Sequence, residues 1–545
     1  MCRDCTRFGP TRLKRTTGIC VPFLNYRGRA LSPLTTRRAL CAICITAALF
    51  SSLSCSTGES KQTPKRLGLL RFAVSATTTL DPAVASNPES ISLAELISLP
   101  LVQLDPNTSE VLPGIARSWR GNREQTSFTF QIDQRARFSA GALVGAADVK
   151  ASLERVVAPG TRSPIAGLLA EVVGYDAAHS AGGPIAGIVA KNATTVVFNI
   201  SRPDATFPIS LGHPGLGIVA PDVDEPGGLF GTGPYRVSGI TEGDWEMTRL
   251  RGPGARKIRI TKYDSADEAR RAVEAGKADI AAITREAGTT FKGGLRPVSA
   301  PYVAVSNYAL NLENPKFADV DFREAILRAL NSVSLVRKTF GPTVGVANGV
   351  LPETVAGHGE NPCRNICDFN LAAAKAALAR AFPAGGVPTF SIDYDDTPTQ
   401  ANLALEAQAQ LRAAGIETTP RAHPISDYDD FLANGEPELF RLGWVALDPS
   451  AEAFLFPVFA SDAPENVAHI KSLASDLLVI AASTTADPKK RAGLYAKAER
   501  AILEQVAVKP VVQYRSRFIA RSTVKALSVD ALGGIFSGYA GLGNR

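Results

Sequence analysis

Beyond position 55 the chain has almost no cysteine: six of its eight lie at or before Cys55, and only Cys363 and Cys367 remain in the body. Cys2/Cys5 and Cys41/Cys44 have the C-x-x-C spacing of metal or redox motifs, but the first pair falls in a leader and the second inside an apolar signal run, so neither reads as chemistry. Charge of one sign is missing too. The formal charge is +7, yet residues 1–54 hold nine basic side chains against Asp4 alone, which leaves the body with 50 basic and 51 acidic side chains. A phosphate-binding or nucleic-acid-binding protein would carry its surplus in the folded part. The body has no G-x-x-x-x-G-K-[ST] phosphate loop, no G-x-S-x-G nucleophile elbow and no H-E-x-x-H pair. Its histidines, His179, His213, His358, His423 and His469, stand far apart and predict no metal site. Ser522-Thr523-Val524-Lys525 fits S-x-x-K but lies in a late strand-like stretch without companion motifs. Neither a repeat of 20 to 50 residues nor a low-complexity tract is present. These absences point away from an enzyme and away from any cofactor.

What is present begins with an export leader. A basic stretch ending in Arg37-Arg38 precedes an apolar run from Ala39 to Phe50, then Ser51, Ser52 and Ser54 before Cys55. That run is shorter than the roughly 20 apolar residues that span a bilayer. The Arg pair fits twin-arginine export and ordinary secretion alike. Ser52-Leu53-Ser54-Cys55 resembles the bacterial lipobox, with Ser52 where Leu is usual; it predicts diacylglyceryl attachment at Cys55 and hence a bilayer anchor, the alternative being a plain cleaved signal. Residues 55–67 read as a flexible tether. Export makes a local disulfide between Cys363 and Cys367 the expected state.

At this length two or more lobes are expected. Leu69 to Val74 reads as a buried strand. In residues 319 to 331, Asp319 is an N-cap candidate, and Phe322, Ala325, Ile326, Ala329 and Leu330 fall on one helix face. A helix from about Leu371 to Phe382, a strand Thr389 to Tyr394, a helix Thr399 to Ala414 stopped by Gly415, and a strand Ile416 to Thr419 form a β-α-β unit, which predicts an α/β lobe. Asp487-Pro488 opens another helix, and Val506 to Tyr514 reads as strand.

Several ordered segments are similar to one family. Pro113-Gly114-Ile115-Ala116-Arg117-Ser118-Trp119, Phe128 to Ile132, Arg137-Phe138-Ser139-Ala140-Gly141 and Ala147-Asp148-Val149 with Leu153-Glu154-Arg155 follow its early block. Gly231-Thr232-Gly233-Pro234-Tyr235, Glu274 to Ile280, Asn307 to Asn311, Gly415-Ile416, and Gly443-Trp444 with Asp448-Pro449 complete the series. On these residues the chain resembles bacterial extracellular solute-binding proteins of family 5, the oligopeptide- and dipeptide-binding lipoproteins of ABC importers. The resemblance implies an α/β, two-lobed periplasmic-binding-protein-like fold of the large peptide-binder class with a hinge between lobes. Its expected parts are residues 68–305 (lobe I), 306–505 (lobe II) and 506–545 (the return to lobe I), after a leader over 1–54.

It also implies a monomer that closes over a peptide-like ligand and presents it to membrane permease subunits. Gly443, Trp444 and Val445 would offer backbone and an aromatic wall, holding the ligand like an added strand. Relatives commonly follow this Gly-Trp with an Ala-Asp pair that holds the ligand amine; here Ala446-Leu447-Asp448 is shortened, and Asp448 is the candidate for that role. Arg441 is a candidate for a ligand carboxylate, with a solvated or ion-paired arginine as the alternative, and Trp444 is alternatively a core residue. Asn307, Tyr308, Ser75, Thr77 and Thr78 are expected at the cleft by position. Other ligands on this scaffold, a sugar, haem or a metal complex, form the alternative reading, since fold does not fix ligand.

Overall fold

A computed structural model describes residues 68–221, 228–283, 291, 293–525 and 527–540; the leader, Cys55 and the tether lie outside the described residues. The first strand, Leu69–Ser75, pairs in parallel with Lys257–Tyr263 on one side and Ile280–Ala282 on the other. A strand flanked on both edges is mostly apolar: Leu70, Phe72, Ala73 and Val74 are buried, and the strand's one charged residue, Arg71, is ion-paired with Asp279 at 2.7 Å.

The helix periods hold in three dimensions. Asp319 caps Val320–Ala329 by accepting from the backbone N–H of Asp321 and Phe322, and Phe322, Ala325, Ile326 and Ala329 point into the core. The β-α-β unit is present: Phe390–Asp395 and Thr418–His423 are parallel neighbours, joined by the helix Pro398–Ala414, which ends at Gly415 with φ 94°. The late strand expected over 506–514 is longer, Val508–Arg521, because its second half belongs to the other lobe.

One sheet runs through both lobes. Its order is Tyr235–Thr241, Asp244–Arg249, Lys257–Tyr263, Leu69–Ser75, Ile280–Ala282, Val508–Arg521, Leu295–Leu310, Leu439–Val445, Phe390–Asp395, Thr418–His423, with the short Gly345–Val346 beside Val508–Arg521. The long antiparallel strands Leu295–Leu310 and Val508–Arg521 carry the chain from one lobe to the other. Val298 and Phe518 pack in the first-lobe core with Phe72 and Phe536, whereas Tyr308, Leu310, Val511 and Val512 pack in the second with Phe322 and Phe390. Between the two cores the ladder is interrupted, passing from Pro301↔Arg515 to Val305↔Gln513. The lobe boundaries expected at 305/306 and 505/506 thus fall within and just before these crossing strands.

The first lobe adds a smaller sheet, Ala116–Gly121, Ser127–Ile132, Thr195–Asn199 and Ile188–Asn192 in that order, with Phe128, Phe130, Phe198 and Phe207 at its core. The second lobe has a further core around Phe440, Phe454 and Tyr495. The Cys363–Cys367 disulfide is formed, and the Lys509 ammonium donates to the Cys367 carbonyl.

The Gly-Thr-Gly-Pro-Tyr turn shows why its glycines are there. A Cβ on Gly231 would lie 1.9 Å from the Ile97 carbonyl oxygen, and one on Gly233 would lie 2.3 Å from the Leu96 oxygen. Thr232 between them accepts from the Leu99 N–H at 2.9 Å and donates to the Ile218 carbonyl at 2.8 Å. Since the clash is with backbone, Gly231→Ala is expected to cost about 1–3 kcal/mol or more. Urea unfolding checks this through a lowered midpoint.

Candidate ligand cleft between the lobes

Strand direction locates the cleft. Leu69–Ser75 is parallel to Ile280–Ala282, which is antiparallel to Val508–Arg521, so the first strand points its carboxyl end, Ser75, toward the second lobe. Leu439–Val445 is antiparallel to Leu295–Leu310, with Val445 opposite Ala304, so it points its carboxyl end back toward the first lobe. Phe390–Asp395 and Thr418–His423 share that direction. The carboxyl ends of parallel strands from both lobes therefore face one gap at the interruption of the crossing ladder, the position where open α/β sheets receive ligands.

Gly443, Trp444 and Val445 end the second-lobe strand, and Ser75 ends the first. Val445 is exposed, and Gly443 and Trp444 are half-buried. The Trp444 indole N–H donates to the Ala453 carbonyl at 2.8 Å, which fixes the ring against the second-lobe core. Arg441 forms an ion pair with Asp395, Nε to Oδ2 2.9 Å, and its guanidinium lies 5.4 Å from the centre of the Tyr428 ring. A Cβ on Gly443 would stand 2.3 Å from Arg441 Nη1, so the glycine leaves room for the arginine to lie across the strand. Ser75 and Thr77 sit on the loop that ends the first strand, with Thr78 buried behind them.

Three expected residues are placed differently. Tyr308 is packed in the second-lobe core beside Leu310 and Phe322, and burial raises the pKa of its phenol far above the usual tyrosine value. Asn307 is buried, and its Oδ1 finds no hydrogen-bond partner. Asp448 is buried with both carboxylate oxygens occupied: Oδ2 accepts from the Ser210 hydroxyl at 2.6 Å, and Oδ1 from the Ser450 N–H at 2.9 Å. A ligand amine would have to compete with these partners. Ser210 belongs to the first lobe, so Asp448 ties the lobes together.

A second tie lies beside it. Arg202 of the first lobe reaches Glu452 of the second at 2.6 Å, stays paired with Glu171 at 2.9 Å, and stacks 3.9 Å over Phe456. The Ala205 N–H donates to the Ser483 carbonyl at 2.7 Å. Glu452 also accepts from the Tyr495 hydroxyl at 2.6 Å. Sequence inspection had no means of finding this group, because 250 positions separate Arg202 from Glu452. Among the described residues no group of three or more histidine, cysteine, aspartate or glutamate side chains could hold a metal ion.

Two α/β lobes, a two-strand connection and strand ends facing one another are the architecture of the large two-lobed solute-binding proteins. The comparisons agree. A model of the bacterial extracellular solute-binding proteins, family 5 Middle, matches residues 110–466, and the chain belongs to that family, the substrate-binding components of ABC importers, which are extracytoplasmic and not enzymes. The glutathione-binding protein GsiB of Escherichia coli K12 is 25% identical over 462 residues, covering 80% of this chain and 86% of the relative. The murein tripeptide-binding protein MppA in its unliganded open form superposes with a TM-score of 0.77 at 20% identity, covering 87% of this chain and 97% of that one. A nickel ABC transporter structure from Bacillus halodurans gives 0.72 at 20% identity, covering 86% and 99%.

Burial, aided by Asp204, pushes Glu452 up to about 7 against the opposing pull of Arg202 and Tyr495. The folded protein therefore keeps a proton there between the ordinary glutamate value of 4.5 and about 7, where the unfolded chain has released it. Its contribution to stability falls as pH rises through that window. Glu452→Gln is expected to remove this component, on the order of 3 kcal/mol between pH 4.5 and 7. Denaturant midpoints of the two proteins at pH 5 and pH 8 measure it.

Proposed function

We propose that this protein captures short peptides by main-chain recognition and delivers them to an ABC permease. The observation that carries this reading is an open strand edge. Leu439–Val445 is paired along its full length with Leu295–Leu310, but on its other side Phe390–Asp395 pairs only with Leu439 and Phe440. From Arg441 to Val445 that edge has no strand partner among the described residues; the Tyr428 hydroxyl donates to the Arg441 carbonyl at 2.9 Å, so the open stretch runs from Leu442 to Val445 at the gap. An extended peptide adds to such an edge through backbone hydrogen bonds that do not read its side chains.

Gly443 gives the Arg441 guanidinium room over the strand, Trp444 walls the approach, and Val445 lies at its mouth. Arg441 retains donors beyond its bond to Asp395 for a carboxylate. Two relatives, a glutathione-binding protein and a murein tripeptide-binding protein, support a ligand of a few residues. On this reading the Ser75, Thr77 and Thr78 loop completes the site. Cys55 carries the lipid that holds a monomer at the outer face of the cytoplasmic membrane. A sugar, haem or metal complex is the competing ligand class, and one relative's structure is described as a nickel transporter.

Native mass spectrometry of the exported protein, purified without refolding and then denatured, tests the reading. A ladder of short peptides of mixed sequence is the expected result. A single non-peptide mass, or an empty protein that no peptide pool stabilises against heat, would replace peptides with another solute.

A further inference from the structure

The ligand amine needs a receptor, and Asp448 is occupied. The first lobe holds a carboxylate with the opposite character. Glu89, in the first turn of the helix Pro88–Ile97, is 5% exposed, and no lysine, arginine or histidine among the described residues pairs with it. Its partners are the Ser75 N–H and the Ser75 hydroxyl, both at 3.4 Å, the long end of hydrogen bonding. Its own backbone N–H helps, but burial dominates and raises its pKa.

Ser75 is also 3.3 Å from the Thr77 hydroxyl and 3.4 Å from that of Thr78. The loop is fastened to the same helix, because the Thr79 N–H donates to the Ser90 hydroxyl at 3.1 Å. Direction matters in this chain of hydroxyls. When the Ser75 O–H is donated inward to Glu89, Ser75 can accept from Thr77 and Thr78, which leaves the exposed Thr77 oxygen with lone pairs for an outside donor. A buried negative charge behind three hydroxyls makes them a set of acceptors, which suits a cation that brings its own donors.

We propose that Ser75, Thr77 and Thr78, backed by Glu89, receive the protonated amino group of the ligand from the first lobe. Glu89 acts as a positioning residue that orients and polarises the hydroxyls. The inference rests on the peptide reading above, and it assigns the amine to the lobe opposite the open strand edge, so that an amine-bearing ligand touches both lobes and favours their closure.

Calorimetric titration of the exported protein with tri-alanine and N-acetyl-tri-alanine tests it. The wild type is expected to prefer the free amine by about tenfold or more. Glu89→Gln, whose amide can donate and so reverse the hydroxyl chain, is expected to cut that preference below about threefold with little change toward the acetylated peptide. Ser75→Ala, at the half-buried end of the first strand, is expected to do the same and keeps the proposal open to refutation if the Gln variant does not fold. Asp448→Asn is expected to retain the preference. Equal wild-type affinity for the two peptides, or an undiminished preference in the Glu89 and Ser75 variants, overturns the amine assignment and leaves peptide binding standing. Binding of neither peptide by the wild type overturns both.

Discussion

The two crossing strands are the constraint on which the rest depends. Leu295–Leu310 and Val508–Arg521 hydrogen-bond to each other on both sides of a ladder interruption at Pro301 to Val305. Their ends are locked into separate hydrophobic cores, and the pairing lapses between them, the kind of position at which hinged lobes bend. The same geometry aims the carboxyl ends of parallel strands from both lobes at one gap. The site is thus a consequence of how a single sheet is shared between two cores.

Contacts outside the sheet bear on the same hinge. Asp448 with Ser210, and Arg202 with Glu452 and Phe456, join the lobes next to the strands that cross. Buried charges of this kind give little net stability, because desolvation offsets most of their attraction, but they are costly to leave unpaired. Their consequence is directional: they hold particular side chains of the two lobes in register at the edge of the gap. Glu452 lies in the second-lobe core face with Tyr495, so displacing Arg202 would leave that carboxylate with a hydroxyl in place of its counter-charge.

The open edge of Leu439–Val445 lies inside a gap between lobes. Exposed strand edges invite unwanted pairing, and the second lobe limits this by covering the start of the strand, Leu439 and Phe440, with Phe390–Asp395. The neighbouring strand stops pairing at Phe440, where the side chains change from core residues to Arg441, Gly443 and Trp444. Structure and recognition meet at that point: the Tyr428 hydroxyl takes the Arg441 carbonyl, and the stretch from Leu442 to Val445, without a strand partner among the described residues, is the edge a main-chain ligand would use.

Amino-acid order by itself determined the local elements and the class of protein. The Asp319 cap, the apolar face from Phe322 to Ala329 and the stop at Gly415 were legible because capping and helix period act within a few residues. The Gly231 to Tyr235 turn was legible as a motif, although only the packed structure shows that its glycines make room for the Ile97 and Leu96 carbonyls. What the tertiary structure alone decided is which groups meet. Tyr308 went to the core and Asp448 to a tie between lobes, while Glu89, an unremarked acid in a first helical turn, came to stand behind the Ser75 loop. Such pairings join residues from 14 to 250 positions apart, and no periodicity or spacing encodes them. They are set by sheet order and by how the two cores pack, which exist only once the chain has folded.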